Sequence, residues 1–415
     1  MQTDEKYNED LAADGSLSGV ESEDAARDEQ DPFDPEKISM DPKVIAMDAV
    51  IRRLLQGSIR LAPAFQRSEV WNDERKSQLI ESLMLKIPIP MFYVASDEKG
   101  NWDVVDGLQR LITIKEFVLG NEYFATRDEK IKGKGLKLTG LEFWGDKFDG
   151  FTFSKLNDLP EPTMVNRILE TQFQFTIINP GTPEEVKRNV FKRINTGGMP
   201  LTSQEIRHAL YQGKSSELLA DLVKSTEYKT ATTSSVKDSR MAGRELILRF
   251  LSFSIREYTE YQKKPDMDAF LSDTMRIINL MPELPKKELV KIFHNSDTPI
   301  PVLKITTIEQ LKKRFSKAMS RAHDLFGVHT FRKSHGENNR APINKTLFEV
   351  WGNLLAELSD DQFKTLLSHS KDFLHEYHSL LGTHEAANMI SRHSSKYSGV
   401  KDRYEKFSTI LKKYI

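Results

Sequence analysis

From about Lys214 to the end of the chain, apolar residues recur with a helical period almost without interruption, and this limits the possible fold more than any other feature. Long helical segments are expected around 243–260, 266–281, 307–326, 344–356, 360–381 and 400–413. The first half reads differently, because short runs rich in aromatic and β-branched residues alternate there with helical stretches. The expected class is therefore α+β, with a mixed α/β domain first and an all-helical domain after it. A chain of 415 residues has room for at least two cores. No internal repeat is visible.

The formal net charge of −1 conceals an uneven distribution: residues 1–42 carry 14 Asp/Glu against 3 Lys/Arg, which leaves the rest at +10. So acidic a segment buries too little apolar surface to order itself, and 1–42 reads as a disordered leader. A basic body suits a polyanion such as DNA or a nucleotide, and a detached acidic segment would compete for the same surface. With no cysteine, disulfides, thiolate zinc sites, iron–sulfur clusters and cysteine nucleophiles are excluded. No apolar run approaches the roughly 20 residues of a membrane span. The start MQTDEKYNED lacks a secretory pattern, so a cytoplasmic protein without membrane contact is expected.

Local signals place the motifs. Val44, Ile45, Met47, Ile51, Leu54 and Leu55 fit one face of a helix that Gly57 stops. Ile59–Val70 reads as extended. Asn72 is positioned to cap a helix over Asp73–Lys86, with Asp73 and Glu74 in its first turn. Met91–Val94 and Trp102–Val105 read as a hairpin that runs through Asp106-Gly107 into a helix ending near Gly120. The stretch Tyr123–Leu159 suggests an inserted hairpin, Phe173–Ile178 a strand, and Pro183–Ile194 a helix. Thr202 with Glu205 forms a capping-box pattern.

Three polar clusters could carry chemistry. Asp106-Gly107-Leu108-Gln109-Arg110 combines a carboxylate, a glycine, free helix N-terminal amides and a cation at a strand-to-helix turn. Asp106 would hold Mg²⁺ or orient water, Gln109 would position a phosphate or nucleophile, and Arg110 would clamp phosphate oxygens. Such a junction also arises for conformational reasons alone. Gln66-Arg67, flanked by Phe65 and Trp71, is a polar pair between apolar anchors; a surface salt bridge is the plain alternative. The loop Asn195-Thr196-Gly197-Gly198, with Arg193 before it and Arg207 after, fits an anion-binding nest or simply the end of one helix and the start of the next.

Taken in order, Pro63–Arg67 with Trp71, Leu79–Leu83, Ile87-Pro88-Ile89-Pro90, Asp106–Arg110 and the Phe191–Arg207 block resemble the N-terminal domain family of GmrSD-type modification-dependent restriction enzymes. That domain is similar to the ParB and sulfiredoxin nucleotidases. Asn339-Arg340-Ala341-Pro342-Ile343-Asn344 resembles a helical-region motif of stand-alone members.

Composition and periodicity give a leader over 1–42 and a helical domain over 213–415, and the resemblance implies that 43–212 between them is a ParB-like nucleotide-binding domain. It implies binding and Mg²⁺-dependent hydrolysis of a nucleoside triphosphate, with Asp106, Gln109 and Arg110 catalytic and Asp106 on the metal. Gln66, Arg67, Gly107, Arg193, Asn195, Thr196, Gly197, Gly198 and Arg207 would bind nucleotide. The expected partners are the nucleotide, DNA, and a nuclease or other defence-system protein, with homo-oligomerisation left open.

The usual motif is Asp-Gly-Gln-Gln-Arg, and Leu108 departs from it. That departure keeps alive a second reading, a module that binds nucleotide or DNA without turnover. The basic segments Lys312-Lys313-Arg314 and Arg332-Lys333 would then serve DNA recognition. No HNH-type nuclease motif is evident: His369, His375, His378, His384 and His393 are scattered over helical sequence, without a carboxylate-rich metal constellation. A sulfiredoxin-like phosphotransferase is disfavoured by the absence of a thiol.

Overall fold

The computed structural model describes residues 7–23, 38–61, 71–120, 135–161, 163–194, 201–263, 265–293, 300–336, 339–392 and 394–415. Two strands come first, β1 (Glu9–Leu11) and β2 (Leu17–Glu21), paired antiparallel. Over residues 7–23 this replaces the disordered leader expected for 1–42, of which 1–6 and 24–37 lie outside the described residues, and the reason lies far along the chain. Val20 is fully buried in the helical core, and its backbone bridges to Ile343.

The chain divides into two compact units, one formed by the β1–β2 hairpin together with residues 202–415, the other lying between them in sequence and ending at Leu201. The boundary near 212 therefore moves back to 201. The capping box at Thr202 opens a helix of the second unit.

In the sheet-containing unit the elements are β3 (Met40–Ala46), α1 (Met47–Leu55), β4 (Ile59–Arg60), α2 (Asp73–Met84), β5 (Phe92–Ser96), β6 (Trp102–Asp106), α3 (Leu108–Val118), α4 (Gly145–Phe148), α5 (Phe153–Asn157), α6 (Thr163–Leu169), β7 (Gln172–Ile178) and α7 (Glu184–Ile194). The five strands lie in the order β3-β7-β5-β6-β4, with the β7–β5 and β6–β4 pairs parallel and the others antiparallel. Val44 and Ile45 belong to β3, not to the helix expected there. Seven consecutive residues of β3 pair with β7, and this non-local ladder overrides the local helical pattern. The described part of the expected 123–159 hairpin, residues 135–159, holds short helices and no strand.

Phe92 lies at the centre of this core, 5.2 Å from Phe173 edge-on and 5.0 Å from Phe175 in a stack. Asn72 caps α2 as its position predicts, accepting from the Arg75 amide. The buried Glu81 carboxylate accepts the backbone amides of Glu142, Phe143 and Trp144 at 2.8–2.9 Å and so ties that segment to α2.

The second unit is helical, as the periodicity predicts: α8 (Ser203–Leu210), α9 (Lys214–Leu222), α10 (Thr226–Ala231), α11 (Ala242–Ile255), α12 (Met267–Leu280), α13 (Lys286–Phe293), α14 (Ile308–Phe326), α15 (Lys345–Glu357), α16 (Asp360–Ser368), α17 (Ser370–Leu381), α18 (His384–Ala387) and α19 (Tyr397–Leu411). Helices α11 and α15 are buried on nearly every side and form its centre, and the charged residues they bury, Arg249, Lys345 and Glu349, are paired. Helix α14 is amphipathic and buries Leu311, Phe315, Ala318, Met319, Ala322 and Leu325 along one stripe. No described helix is long and apolar enough to cross a membrane.

Candidate nucleotide site at the β6–α3 turn

The site begins where β6 ends. Asp106 is its last residue and lies opposite Tyr93 of β5, and the chain turns at Gly107 into α3. Two independent facts demand glycine there. Its φ is +94°, in the left-handed region, and a Cβ at this position would lie 2.3 Å from the Phe92 ring. Helix α3 has no side-chain N-cap, so its first amides keep their positive end toward Asp106 and the turn.

Arg110, one helical turn on, folds back over that turn. Its Nη2 donates to Asp106 Oδ2 at 2.7 Å, its guanidinium also donates to the Pro90 carbonyl and, at 3.3 Å, to the Met91 carbonyl, and it stands 4.6 Å above the Phe92 ring. Burial pushes Arg110 below its ordinary pKa, against the pull of Asp106. Asp106 remains 36% exposed, so one face of the carboxylate is open to a ligand. Gln109 sits beside it, its side-chain oxygen 3.5 Å from the Trp71 amide, at the outer limit of a hydrogen bond. Arg75 lies over the Trp71 ring at 4.9 Å.

The remaining expected residues divide into three groups. Gln66, Arg67, Asn195, Thr196, Gly197 and Gly198 lie outside the described residues. Arg193 is exposed near the end of α7. Arg207 belongs to α8 in the helical unit and is 1% exposed; it pairs with Gln204, Asp268 and Glu245 there. Leu108 is half-buried at the head of α3.

Sequence reasoning missed the carbonyls of Pro90 and Met91 and the Phe92 ring, which together seat Arg110. The two prolines were legible as helix breakers, and nothing in their spacing marks a carbonyl as an acceptor.

The basic segments expected to meet DNA are largely paired within the unit. Lys312 reaches Asp221 at 3.3 Å and Arg314 reaches Glu357 at 3.2 Å. Arg332 is buried on carbonyls and hydroxyls of Thr232, Thr233, Ser235 and Ala341, and Lys333 pairs with Glu21. No group of three or more metal-binding side chains occurs among the described residues. His378 instead stacks on His335, with ring centres 4.1 Å apart.

The fold and the turn define a class: a mixed α/β domain presenting a carboxylate and a free helix N-terminus at a strand-to-helix junction, joined to a helical domain. Residues 51–212 match the family described as GmrSD restriction endonuclease, N-terminal domain. The match starts in α1 and extends past α8, and thus includes the first helix of the helical unit. No curated protein and no solved structure matches the chain.

Proposed function

We propose that the β6–α3 turn binds the phosphates of a nucleoside triphosphate and hydrolyses it with Mg²⁺, in a protein of a DNA-restriction or anti-phage defence system. The observation that carries this reading is the placement of Asp106, by a turn that tolerates only glycine, at the uncapped N-terminus of α3. Helix N-termini bind phosphate through free amides and the helix dipole. The family match over 51–212 supports the restriction or defence setting.

The donor set suits Mg²⁺ held partly by the substrate. One open carboxylate is too little for an all-protein cage, but it fits an ion that takes its other ligands from phosphates and water. The ion would neutralise charge on the phosphates and lower the pKa of a bound water. The chain's own residues do the rest: the α3 amides receive phosphate oxygens, Arg110 fixes the Asp106 carboxylate, and Gln109 offers an amide to the ligand or to a water.

Arg110 is a positioning residue in this arrangement, because its donors already engage Asp106, Pro90 and Met91. That commitment, with Leu108 in place of a glutamine, favours as the second reading a module that binds nucleotide without turnover.

Phosphate release from ATP, GTP, CTP and UTP with Mg²⁺, with and without DNA, separates the two when intact chain and Asp106→Ala are compared alongside nucleotide binding. Turnover abolished by the substitution supports the hydrolase. Binding without release supports the module. Equal behaviour of both proteins removes the site.

A further inference from the structure

The first turn of α15 collects positive charge. Lys345 is its first residue, where a cation opposes the helix dipole, and Arg249 of α11, Arg403 of α19 and Lys333 of the preceding loop converge beside it. Against these four cations the helical elements set two carboxylates. Glu349 lies between Arg249 at 3.3 Å and Arg403 at 2.6 Å, all three side chains fully buried, and Glu245 reaches Lys345 at 3.3 Å.

The β1–β2 hairpin and the residues just after it supply the balance. Asp10 meets Lys345 at 2.8 Å, Glu23 meets Arg249 at 2.7 Å and takes the Ser394 hydroxyl at 2.9 Å, and Glu21 meets Lys333 and accepts from Asn344 Nδ2 at 3.0 Å. One donor of this cradle is still unfilled among the described residues: the buried Arg249 Nη2 has no hydrogen-bond partner.

Charge contributes more than apolar contact to the hold on this hairpin. Val20 and Ala12 are buried, but Leu11 and Leu17, directly opposed across the two strands, are 49% and 57% exposed. Two backbone hydrogen bonds of 2.8 Å tie it to Ile343. Ile343 and Asn344, which end the Asn339–Asn344 motif to which the β6–α3 site gives no role, are therefore part of the seat of an acidic segment.

We propose that Arg249, Lys333, Asn344 and Lys345 form a binding site for phosphate groups, and that Asp10, Glu21 and Glu23 keep it closed by occupying the phosphate positions. Carboxylates and phosphates share the same recognition by guanidinium, ammonium and helix N-terminal amides. An element held by ion pairs exchanges against another polyanion, as a neutral apolar plug would not. The site lies in the helical unit and is independent of the nucleotide reading at Asp106.

The test uses the full chain carrying Glu21→Gln and Glu23→Gln, with a labelled DNA duplex and a labelled nucleoside triphosphate as probes, each also measured in an Asp106→Ala background. The expected result is a salt-sensitive gain in affinity of about tenfold that persists with Asp106→Ala and is lost when Lys333→Gln is added. A gain for the duplex assigns the phosphates to nucleic acid; a gain confined to the triphosphate assigns them to a free nucleotide. A cooperatively folded variant with no gain for either probe overturns the proposal.

Amide exchange on the unaltered chain provides a second measurement should the variant fail to fold. Saturating duplex or triphosphate is expected to deprotect residues 9–21, and unchanged protection under both overturns the proposal.

Discussion

Arg110 holds the carboxylate that begins its own helix: Nη2 lies 2.7 Å from Asp106 Oδ2 while the guanidinium rests over Phe92. The β6–α3 turn and the aromatic core of the sheet are thus one mechanical piece, and a change in either is transmitted to the other. A double-mutant cycle between Asp106→Ala and Arg110→Ala should give a coupling of about 1 kcal/mol, the pair being partly screened by solvent. Additive losses in urea unfolding would show that the two residues act separately.

Gly107→Ala should be costly. The new Cβ meets the Phe92 ring in a backbone conformation that alanine avoids, and a loss of about 2 kcal/mol or more in unfolding free energy is expected, together with nucleotide binding. Retained stability would mean that the turn can relax and that the glycine serves another purpose.

Glu349→Ala would strand two fully buried arginines beside each other. Removing one partner from a buried ion network costs about 3–5 kcal/mol, and chemical denaturation should report a loss of that size. A loss below about 1 kcal/mol would show that Glu23 on Arg249 and the Met389 and Ser394 carbonyls on Arg403 suffice without it.

Acid should release the hairpin in a defined window. Burial raises the Glu23 carboxyl, but Arg249 and then Lys345 outweigh it and bring the pKa down from 4.5 to about 2. A depressed carboxylate contributes its stability above the unfolded value, and that contribution is lost as pH falls from 4.5 toward 2. The decline in melting temperature across this interval should be shallower in Glu23→Gln; an identical slope would contradict the pairing.

A second, higher window belongs to His378. Burial first, then the neighbouring His335, His329 and His375, lower it from 6.5 to about 4, so the folded state keeps it neutral where the unfolded chain binds a proton. Its contribution is complete above pH 6.5 and fades as pH falls toward 4. An NMR titration should find the His378 ring titrating well below 6.5. A midpoint near 6.5 would mean that the stack with His335 opens in solution.

What was legible in the sequence was local. Asn72 and Thr202 announce helix starts because capping is decided within three or four residues, and the Asp106-Gly107 turn is visible because strand, glycine and helix follow one another directly. Partners distant in sequence were not legible. Val44 and Ile45 look helical until β7 claims them, and the acidic stretch looks unstructured until Arg249, Lys333 and Lys345 are brought to it. Arg207 follows the glycine loop closely in sequence, yet it pairs with Asp268 in the helical unit, because a domain boundary falls between the loop and α8.

Because the hairpin and its seat at Ile343 are separated by the whole sheet-containing unit, their assembly has an order imposed by synthesis. Translation at roughly 5–20 residues per second leaves the hairpin waiting about fifteen seconds to a minute before α15 emerges, by which time the intervening unit is complete. The helical unit thus closes late, on strands made before the whole sheet-containing unit, and removal of β1 and β2 should disturb the helical unit and spare the sheet.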